Sequence, residues 1–370
     1  MKRRQFIKGA SVAMGLAAMP AVTRAKPNKR LYVDGLSFLP EDLGDARAAE
    51  LDAFIADISA IEEVQRPDGS MNYKRTYKAC MKSIQERRAK FESRPEDYVI
   101  GLKGSDIESA RKNDQCAVFL QIQGADCVEG GLHQVDEFYD KGLRVLQLTH
   151  HYDNLYAGGA LSLPNKGLTR KGFALINKLE SKHMMVDLSH SSVQSALDTL
   201  KVAKGPIVQT HGAARAIVNN ARNSPDVVIK GIADSGGVFG VFMMSWWLTG
   251  DSVPRPEHYV ANLKHIKNVA GIDAVAVAND YPLRGHLDAL AGGNNNDKAI
   301  GTYRSWWQGV GKTGVLGFDQ PANHIVIPEL NHVKRMRSIE YLLEDAKFTS
   351  REIDKIMGEN WQRVLSEVVV

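Results

Sequence analysis

The stretch MMVDLSH at residues 184–190 shows the pattern that decides the fold, a short apolar run that ends in polar and ionisable residues. A helix-like stretch from Ser192 to Leu200 follows it, and the next apolar run is Pro206–His211. Continuous apolar runs of this length are typical of parallel strands that are buried on both faces. Strands that alternate with helices predict an α/β fold.

The same pattern recurs along the chain. The other clear runs are Leu31–Asp34, Ala117–Gln123, Arg144–His150, Gly237–Met244 and Ala274–Asp280. An eighth run, Phe54–Ile61, suits a helix as well as a strand, and counted as a strand it completes eight. No linker, repeat or change of composition follows Lys26, so we expect a single domain over residues 26–370. The sequence therefore predicts a TIM-like (βα)8 barrel.

Helices are expected between the strands and at the C-terminus. Thr169–Glu180 follows a strand end, and Pro256–Val269 carries apolar residues at helical spacing. The capping box Thr349–Glu352 opens a helix through Met357, which Gly358 can stop. A final helix then covers Asn360–Val368.

One long irregular stretch, from Tyr281 to about Ala322, follows the last predicted strand. In a parallel barrel this connection emerges on the face where sites are built, which indicates a lid or a substrate-selecting loop. Trp306 and Trp307 are expected either to form an apolar wall of the site or to be buried in a surface excursion.

The first 25 residues are interpreted as a twin-arginine (Tat) export signal. Arg3-Arg4 precedes an apolar run from Ser11 to Val22 and a small-residue end at Ala25. The alternative, a membrane anchor, needs about 20 uninterrupted apolar residues, and Gly15 and Pro20 interrupt this run. We expect a periplasmic protein that is exported folded and has no membrane span once mature.

Charge and cysteine content exclude two classes of protein. Removal of the signal takes five of the 47 basic side chains and none of the 43 acidic ones, so 42 remain against 43. No basic block with aromatic residues remains, which speaks against nucleic-acid binding. Cys80, Cys116 and Cys127 are an odd set without Cys-x-x-Cys spacing, so neither a disulfide framework nor a thiolate zinc site is expected, and at most one disulfide can form.

Four of the runs end in ionisable residues, namely His150, His190, His211 and Asp280. Taken singly, a histidine at the end of a buried strand is more often a satisfied polar residue than a ligand. A parallel barrel, however, brings the ends of distant strands together around one axis. Imidazoles from two strand ends suit Zn²⁺, and a carboxylate from a third suits a general base.

Several short motifs together resemble one family, the membrane dipeptidases (renal dipeptidase-like, peptidase family M19). In chain order they are Leu148-Thr149-His150, Asp187-Leu188-Ser189-His190, His211 with Arg222-Asn223, Asn279-Asp280-Tyr281 and Gly358-x-Asn360-x-x-Arg363-Val364. The resemblance runs from about residue 31 to the C-terminus. It implies a barrel of the metal-dependent hydrolase (amidohydrolase-like) type, two zinc ions at its mouth and hydrolysis of dipeptides.

The resemblance also implies roles for individual residues. His190 and His211 match the ligands of the second zinc ion, and Arg222 matches the arginine that holds the substrate carboxylate. Asp280 matches the aspartate that shuttles a proton to the leaving amine, and His150 matches the histidine that stabilises the oxyanion. A homodimer is allowed by the family alone.

Three of the five metal ligands that the family uses are replaced in this chain. Leu36 and Phe38 stand where the first strand should end in a His-x-Asp, and neither can bind a metal. Gln123 stands in the position of the bridging glutamate, and a neutral amide cannot balance two divalent charges. A site with one zinc ion, or with none, is therefore expected, held by His190, His211 and Gln123 or Asp280.

Displaced ligands could come from other residues near the strand ends, although a salt bridge or a helix cap explains each equally well. Those residues are Glu41, Asp42, Asp45, His151, Asp153 and Asp187, of which Asp187 is the best candidate for a partner of a metal-binding histidine.

Three functions remain open. The first is a one-metal or impaired hydrolase of dipeptides or small amides that carry a free carboxylate. The second is a catalytically inactive binding or accessory barrel, and the third is a periplasmic enzyme that tailors a peptide-derived metabolite.

Overall fold

The computed structural model describes residues 29–65 and 71–370. The predicted export signal, residues 1–25, lies outside the described residues. In the described part of the chain, no helix combines the length and the apolar character that a membrane crossing needs.

The strands in chain order are β1 Val33–Phe38, β2 Ala53–Asp57, β3 Glu62–Gln65, β4 Met71–Lys74, β5 Tyr98–Ile100, β6 Cys116–Gln123, β7 Leu143–Gln147, β8 Met185–Asp187, β9 Gln209–Gly212, β10 Phe239–Val241 and β11 Val275–Val277. Parallel pairing gives the orders β1-β2-β6-β7-β8 and β9-β10-β11. Strand β5 pairs in parallel with the first residues of β6, Cys116–Val118, and β3 and β4 form an antiparallel hairpin.

Backbone hydrogen bonds join the two groups of strands at both seams. Between β8 and β9, the Leu188 nitrogen donates to the Val208 carbonyl at 2.8 Å. Between β11 and β1, the Asn279 nitrogen donates to the Leu36 carbonyl at 3.2 Å, and the Asn279 amide also binds the buried Asp34 carboxylate. The eight strands thus form a parallel barrel, which confirms the predicted fold class.

Each of the eight predicted runs overlaps a barrel strand, and the ambiguous run Phe54–Ile61 overlaps β2. Strands β7, β8, β10 and β11 end before their runs do, whereas β1 continues past its run to Phe38. His150, His190 and Asp280 therefore lie three residues beyond β7, β8 and β11, on loops at the carboxyl ends of the strands. The hairpin β3–β4 and the short strand β5 were not predicted.

The helices are α1 Asp45–Ala48, α2 Tyr77–Glu92, α3 Asp106–Lys112, α4 His133–Asp140, α5 Arg170–Ser181, α6 Val193–Val202, α7 Asp226–Asp234, α8 Pro256–Ala270, α9 Leu287–Ala291, α10 Asn296–Gly311, α11 Arg335–Asp345, α12 Ser350–Asp354 and α13 Asn360–Val368. The Thr169 and Ser192 hydroxyls accept from backbone nitrogens in the first turns of α5 and α6 and so cap them. The predicted capping box at Thr349 is also confirmed.

Two expectations for the C-terminal half are wrong. Residues 281–322 are not one irregular stretch, because they contain α9 and α10. Gly358 does not stop a helix, because it lies within the π-helical turn Lys355–Glu359 that joins α12 to α13. A Cβ atom at Gly358 would lie 2.6 Å from the Leu31 carbonyl oxygen, so close packing explains this glycine.

Apolar side chains fill the barrel interior, and the Trp361 side chain of α13 lies among them. Trp361 is fully buried and its Nε1 donates to the Val277 carbonyl at 2.9 Å. Its indole fits because Gly35 and Gly240 have no Cβ, which would lie 2.4 and 2.9 Å from the ring. The three cysteines are buried, and no disulfide joins them within the described residues.

Candidate metal centre and substrate pocket

A pocket of about 390 Å³ opens at the carboxyl ends of the barrel strands. It is lined by Phe38, Asp57, Gln123, His150, His151, His190, Met244, Trp246, Trp247, Asp280, Tyr303 and Trp306. A larger cavity of about 1130 Å³ lies at the amino ends of the strands. Charged side chains there form ion pairs with one another, such as Arg30 with Glu340 at 3.1 Å and Arg47 with Asp97 at 2.6 Å. We therefore assign the candidate site to the smaller pocket.

Histidines from three consecutive strands meet at this pocket. The Nε2 atoms of His190 and His211 are 2.9 Å apart, and the Nδ1 atoms of His190 and His151 are 3.1 Å apart. His150 stacks on His190 with ring centroids 4.4 Å apart. Ligand nitrogens of His150, His151 and His190 all lie within 4.8 Å of one another. The predicted pair His190 and His211 is thus brought together, and His151 joins it.

Burial lowers the pKa of each of these four histidines below its usual value, and the buried Arg222 guanidinium lowers all four further. The pKa of His151 falls to about 3. The rings are therefore neutral at physiological pH, and each carries one nitrogen lone pair that can bind a metal.

A buried hydrogen-bond network supports His211 from behind. The Asp187 carboxylate accepts from Gln121 Nε2 at 2.7 Å, from Ser189 Oγ at 2.7 Å and from Thr210 Oγ1 at 2.6 Å. Thr210 Oγ1 also lies 2.9 Å from His211 Nδ1. Since the Thr210 proton is given to Asp187, His211 Nδ1 must donate to Thr210. Asp187 therefore supports His211 through the Thr210 hydroxyl.

Asp280 and His190 have left-handed backbone conformations, with φ values of 56° and 63°. Such values cost free energy for residues other than glycine and concentrate at functional sites. Burial raises the pKa of Asp280 to about 8, although the nearby Arg222 guanidinium opposes the shift. Asp280 is therefore mostly protonated at neutral pH and can act as a proton donor.

Gln123 lines the pocket, and its side-chain amide donates to Asp57 Oδ2 at 3.0 Å. Asp57 also accepts from the Ser59 hydroxyl at 2.6 Å, and burial raises its pKa. Sequence reasoning missed Asp57, which is the last residue of β2. The search for ionisable residues at strand ends would have found Asp57 if the end of the strand in the run Phe54–Ile61 had been known.

Leu36 and Phe38 differ in position. Leu36 is fully buried in the apolar barrel interior, whereas Phe38 lines the pocket.

Most of the other residues that were proposed to replace lost metal ligands form ion pairs elsewhere. Asp42 and Asp45 pair with Arg284, and Asp153 pairs with Lys166 at 2.9 Å.

Arg222 lies beside His211 and does not line the pocket. It is 2% exposed, and its Nη2 donates to the His211 carbonyl at 3.2 Å. Its Nε and Nη1 atoms have no hydrogen-bond partner among residues 29–65 and 71–370. The guanidinium lies over the rings of Phe242 and Trp247 at 5.0 and 5.6 Å, and Trp247 is part of the pocket wall. Burial lowers the pKa of Arg222 to about 10, so it remains a cation at neutral pH.

Aromatic residues of α10 close one side of the pocket. Trp306 lines it and contacts His151 with ring centroids 5.1 Å apart. Trp307 is buried behind and donates from Nε1 to the Gln320 carbonyl at 2.7 Å. Trp306 thus forms part of the apolar wall of the pocket, whereas Trp307 is a buried tryptophan.

Residues 55–293 match the family model of the membrane dipeptidases, peptidase family M19. The chain belongs to the membrane dipeptidase family. A curated relative, the uncharacterized dipeptidase C965.12 of Schizosaccharomyces pombe, is 31% identical over 181 residues. The match covers 47% of this chain and 44% of that relative, less than half of its length.

Solved structures of similar fold cover 92% of this membrane dipeptidase family member. An amidohydrolase from Pseudomonas aeruginosa matches with a TM-score of 0.73 and 21% identity over 96% of its chain. A metallo peptidase from Rhodobacter sphaeroides, liganded with a phosphinate mimic of the dipeptide L-Ala-D-Ala, matches with a TM-score of 0.71 and 15% identity over all of its chain. At these identities the likeness concerns the fold.

Proposed function

We propose that the protein is a metal-dependent hydrolase of dipeptides, or of small amides with a free carboxylate, and that it uses one metal ion. The observation that carries the proposal is the convergence of neutral histidines, a protonated Asp280 and a buried Arg222 around the carboxyl ends of the strands. Membership of a metallopeptidase family supports it.

The donor set fits one ion. Zinc in catalytic sites takes three protein ligands, most often imidazoles, and keeps one position open. His150, His151 and His190 offer three imidazole nitrogens within 4.8 Å of one another. A bound zinc ion supplies a polarised carbonyl and an acidified water. The positions that the family uses for the other ion are replaced, because Phe38 is apolar and the Gln123 amide is neutral and bonded to Asp57.

The chain's own residues then divide the remaining work. Asp280, with a pKa of about 8, holds a proton on its carboxyl group that it can give to the leaving amine. The N–H groups of Arg222 that have no partner lie behind the pocket wall, and once the wall residue Trp247 moves aside they suit a substrate carboxylate, which a guanidinium can grip with two hydrogen bonds. Trp246, Tyr303 and Trp306 wall the pocket and exclude water from it.

A dipeptide-like substrate agrees with this arrangement, and the dipeptide mimic held by the Rhodobacter sphaeroides relative supports the same class. Twin-arginine export to the periplasm is part of the proposal and rests on Arg3 and Arg4. A tailoring role on a peptide-derived metabolite would use the same chemistry on one specific substrate.

A dipeptide panel tests the proposal. The mature protein is loaded with one equivalent of zinc and assayed against dipeptides with L or D C-terminal residues, and against the same compounds as methyl esters. We expect turnover of free acids that is lost in His190→Ala and after chelation. Zinc-loaded protein that turns over no member of the panel would overturn the proposal and favour a non-catalytic binding barrel, a function that the apolar Phe38 in the pocket also suits.

A further inference from the structure

We infer that His151 is a metal ligand, and that it forms a three-imidazole centre with His150 and His190. The inference deepens the proposed function, since it rests on that function's single metal ion. It moves the centre toward β7 and away from the His190–His211 pair, and it makes His150 a ligand rather than a group that stabilises the oxyanion.

The hydrogen-bond network determines which nitrogen of His190 is free. His211 Nδ1 donates to Thr210, so in the metal-free protein His211 Nε2 carries the lone pair and accepts from His190 Nε2 at 2.9 Å. The lone pair of His190 is therefore on Nδ1, and that atom faces His151 Nδ1 at 3.1 Å. Two imidazole nitrogens bound tetrahedrally to one zinc ion lie about 3.3 Å apart. The observed separation is close to this value.

A short segment fixes the backbones of both histidines. The Leu161 nitrogen donates to the His151 carbonyl and the Ala160 nitrogen donates to the His190 carbonyl, both at 2.8 Å. Gly159 packs directly on His151, because a Cβ there would lie 2.6 Å from the His151 carbonyl oxygen. The two ligands are thus held by one rigid connection, which favours a preformed site.

The three rings differ from His211 in access to the pocket. His150, His151 and His190 line it, whereas His211 is fully buried and is not part of its lining. A centre of three neutral imidazoles keeps the full charge of the cation, which favours acidification of a water in the open fourth position. His211 then acts as a positioning residue through His190.

Metal-binding measurements test the inference without relying on turnover. Zinc affinity is measured by competition with a chromophoric chelator for the wild-type protein, His151→Ala, His211→Ala and the surface control His133→Ala, whose side chain is 74% exposed. We expect His151→Ala to weaken zinc binding by at least about 100-fold, and His211→Ala by about tenfold because it acts through another ligand. His133→Ala should bind as the wild type does.

X-ray absorption of the zinc-loaded wild-type protein counts the imidazoles without any substitution. Three imidazoles per zinc are expected, and two in His151→Gln. A wild-type protein that binds no zinc, a His151→Ala variant with wild-type affinity, or a His211→Ala variant weaker than His151→Ala would overturn the inference. Hydrolysis by a protein that does not use His151 would overturn the inference and leave the proposed function intact. Zinc bound by His151 in a protein that hydrolyses no substrate would support the inference and overturn the proposed function.

Discussion

His190 Nε2 and His211 Nε2 lie 2.9 Å apart, and this contact continues through Thr210 to the buried Asp187 carboxylate. The direction of every hydrogen bond in this series follows from Asp187, which can only accept when ionised. The Asp187 carboxylate, which does not contact His190, therefore sets which His190 nitrogen carries the lone pair in the metal-free protein.

We predict that Asp187→Asn lowers zinc affinity by about 10- to 100-fold, because its amide can donate toward Thr210 and disturb the proton positions on both histidines. Chelator competition measures the change. Asp226→Asn, which removes a carboxylate bonded to the surface His265, serves as the matched control and should leave zinc affinity unaltered. Equal affinities in the two variants would contradict the assigned network.

Asp280 should make the stability of the metal-free protein fall as pH rises. Its folded-state pKa of about 8 is above its unfolded value of about 4, so the folded state holds the proton more tightly. The stabilisation is complete below about pH 4 and is lost as pH rises to about 8. Asp280→Asn should reduce this dependence in urea unfolding measured from pH 5 to pH 9, and the buried Asp34, whose pKa burial raises to about 7, should account for part of the slope that remains. A slope as steep in Asp280→Asn as in the wild type would assign the pH dependence to another group. The exposed control Asp251→Asn should keep the wild-type slope.

The same substitution tests the proton donor. With the carboxyl group replaced by an amide, kcat should fall by roughly 10²- to 10⁴-fold. The fall of wild-type kcat at high pH should also disappear. Steady-state kinetics of zinc-loaded protein provide the measurement, and a variant with wild-type kcat would assign the proton to another residue.

Arg222→Lys should raise KM by about 10- to 100-fold for substrates with a free carboxylate, because lysine replaces a two-pronged donor by a single charge. Methyl ester analogues, which lack the carboxylate, serve as the control because their KM should be the same in both proteins. A KM increase shared by acids and esters would indicate a structural role for Arg222 instead.

Gly159→Ala should destabilise the fold by about 1–3 kcal/mol, because its Cβ would meet the His151 and Tyr152 backbone at 2.5 to 2.6 Å. Zinc affinity should fall with it, since His151 is displaced. Gly309→Ala is the matched control, because nothing lies within 4 Å of a Cβ there, and in mid-helix α10 it should stabilise by about 0.5–1 kcal/mol. Thermal unfolding distinguishes the two.

The barrel could be predicted from the sequence because each strand is an apolar run that ends near a polar residue. The residues at which each strand begins and ends could not be predicted, because hydrogen bonding to the neighbouring strands decides them. Helix α10 was missed because Gly292, Gly293 and two asparagines precede it. Asn295 is there a helix cap, since its side chain accepts from the Asp297 nitrogen at 2.9 Å.

The histidine cluster shows the limit of strand reasoning. In an extended chain, neighbouring residues point to opposite faces, so His150 directed inward implies His151 directed outward. Strand β7 ends at Gln147, and the bent backbone that follows brings both rings to the pocket, with centroids 4.1 Å apart. Asp57 escaped notice for a related reason, because the end of β2 is not marked in the sequence.

The indole of Trp361, which occupies the barrel between Gly35 and Gly240, has a consequence for the order of folding. A residue of α13 completes the interior of a barrel whose first strand begins at Val33. The emerging chain cannot finish this core while the ribosome still holds α13. Native packing of the barrel must therefore wait until α13 has left the ribosome.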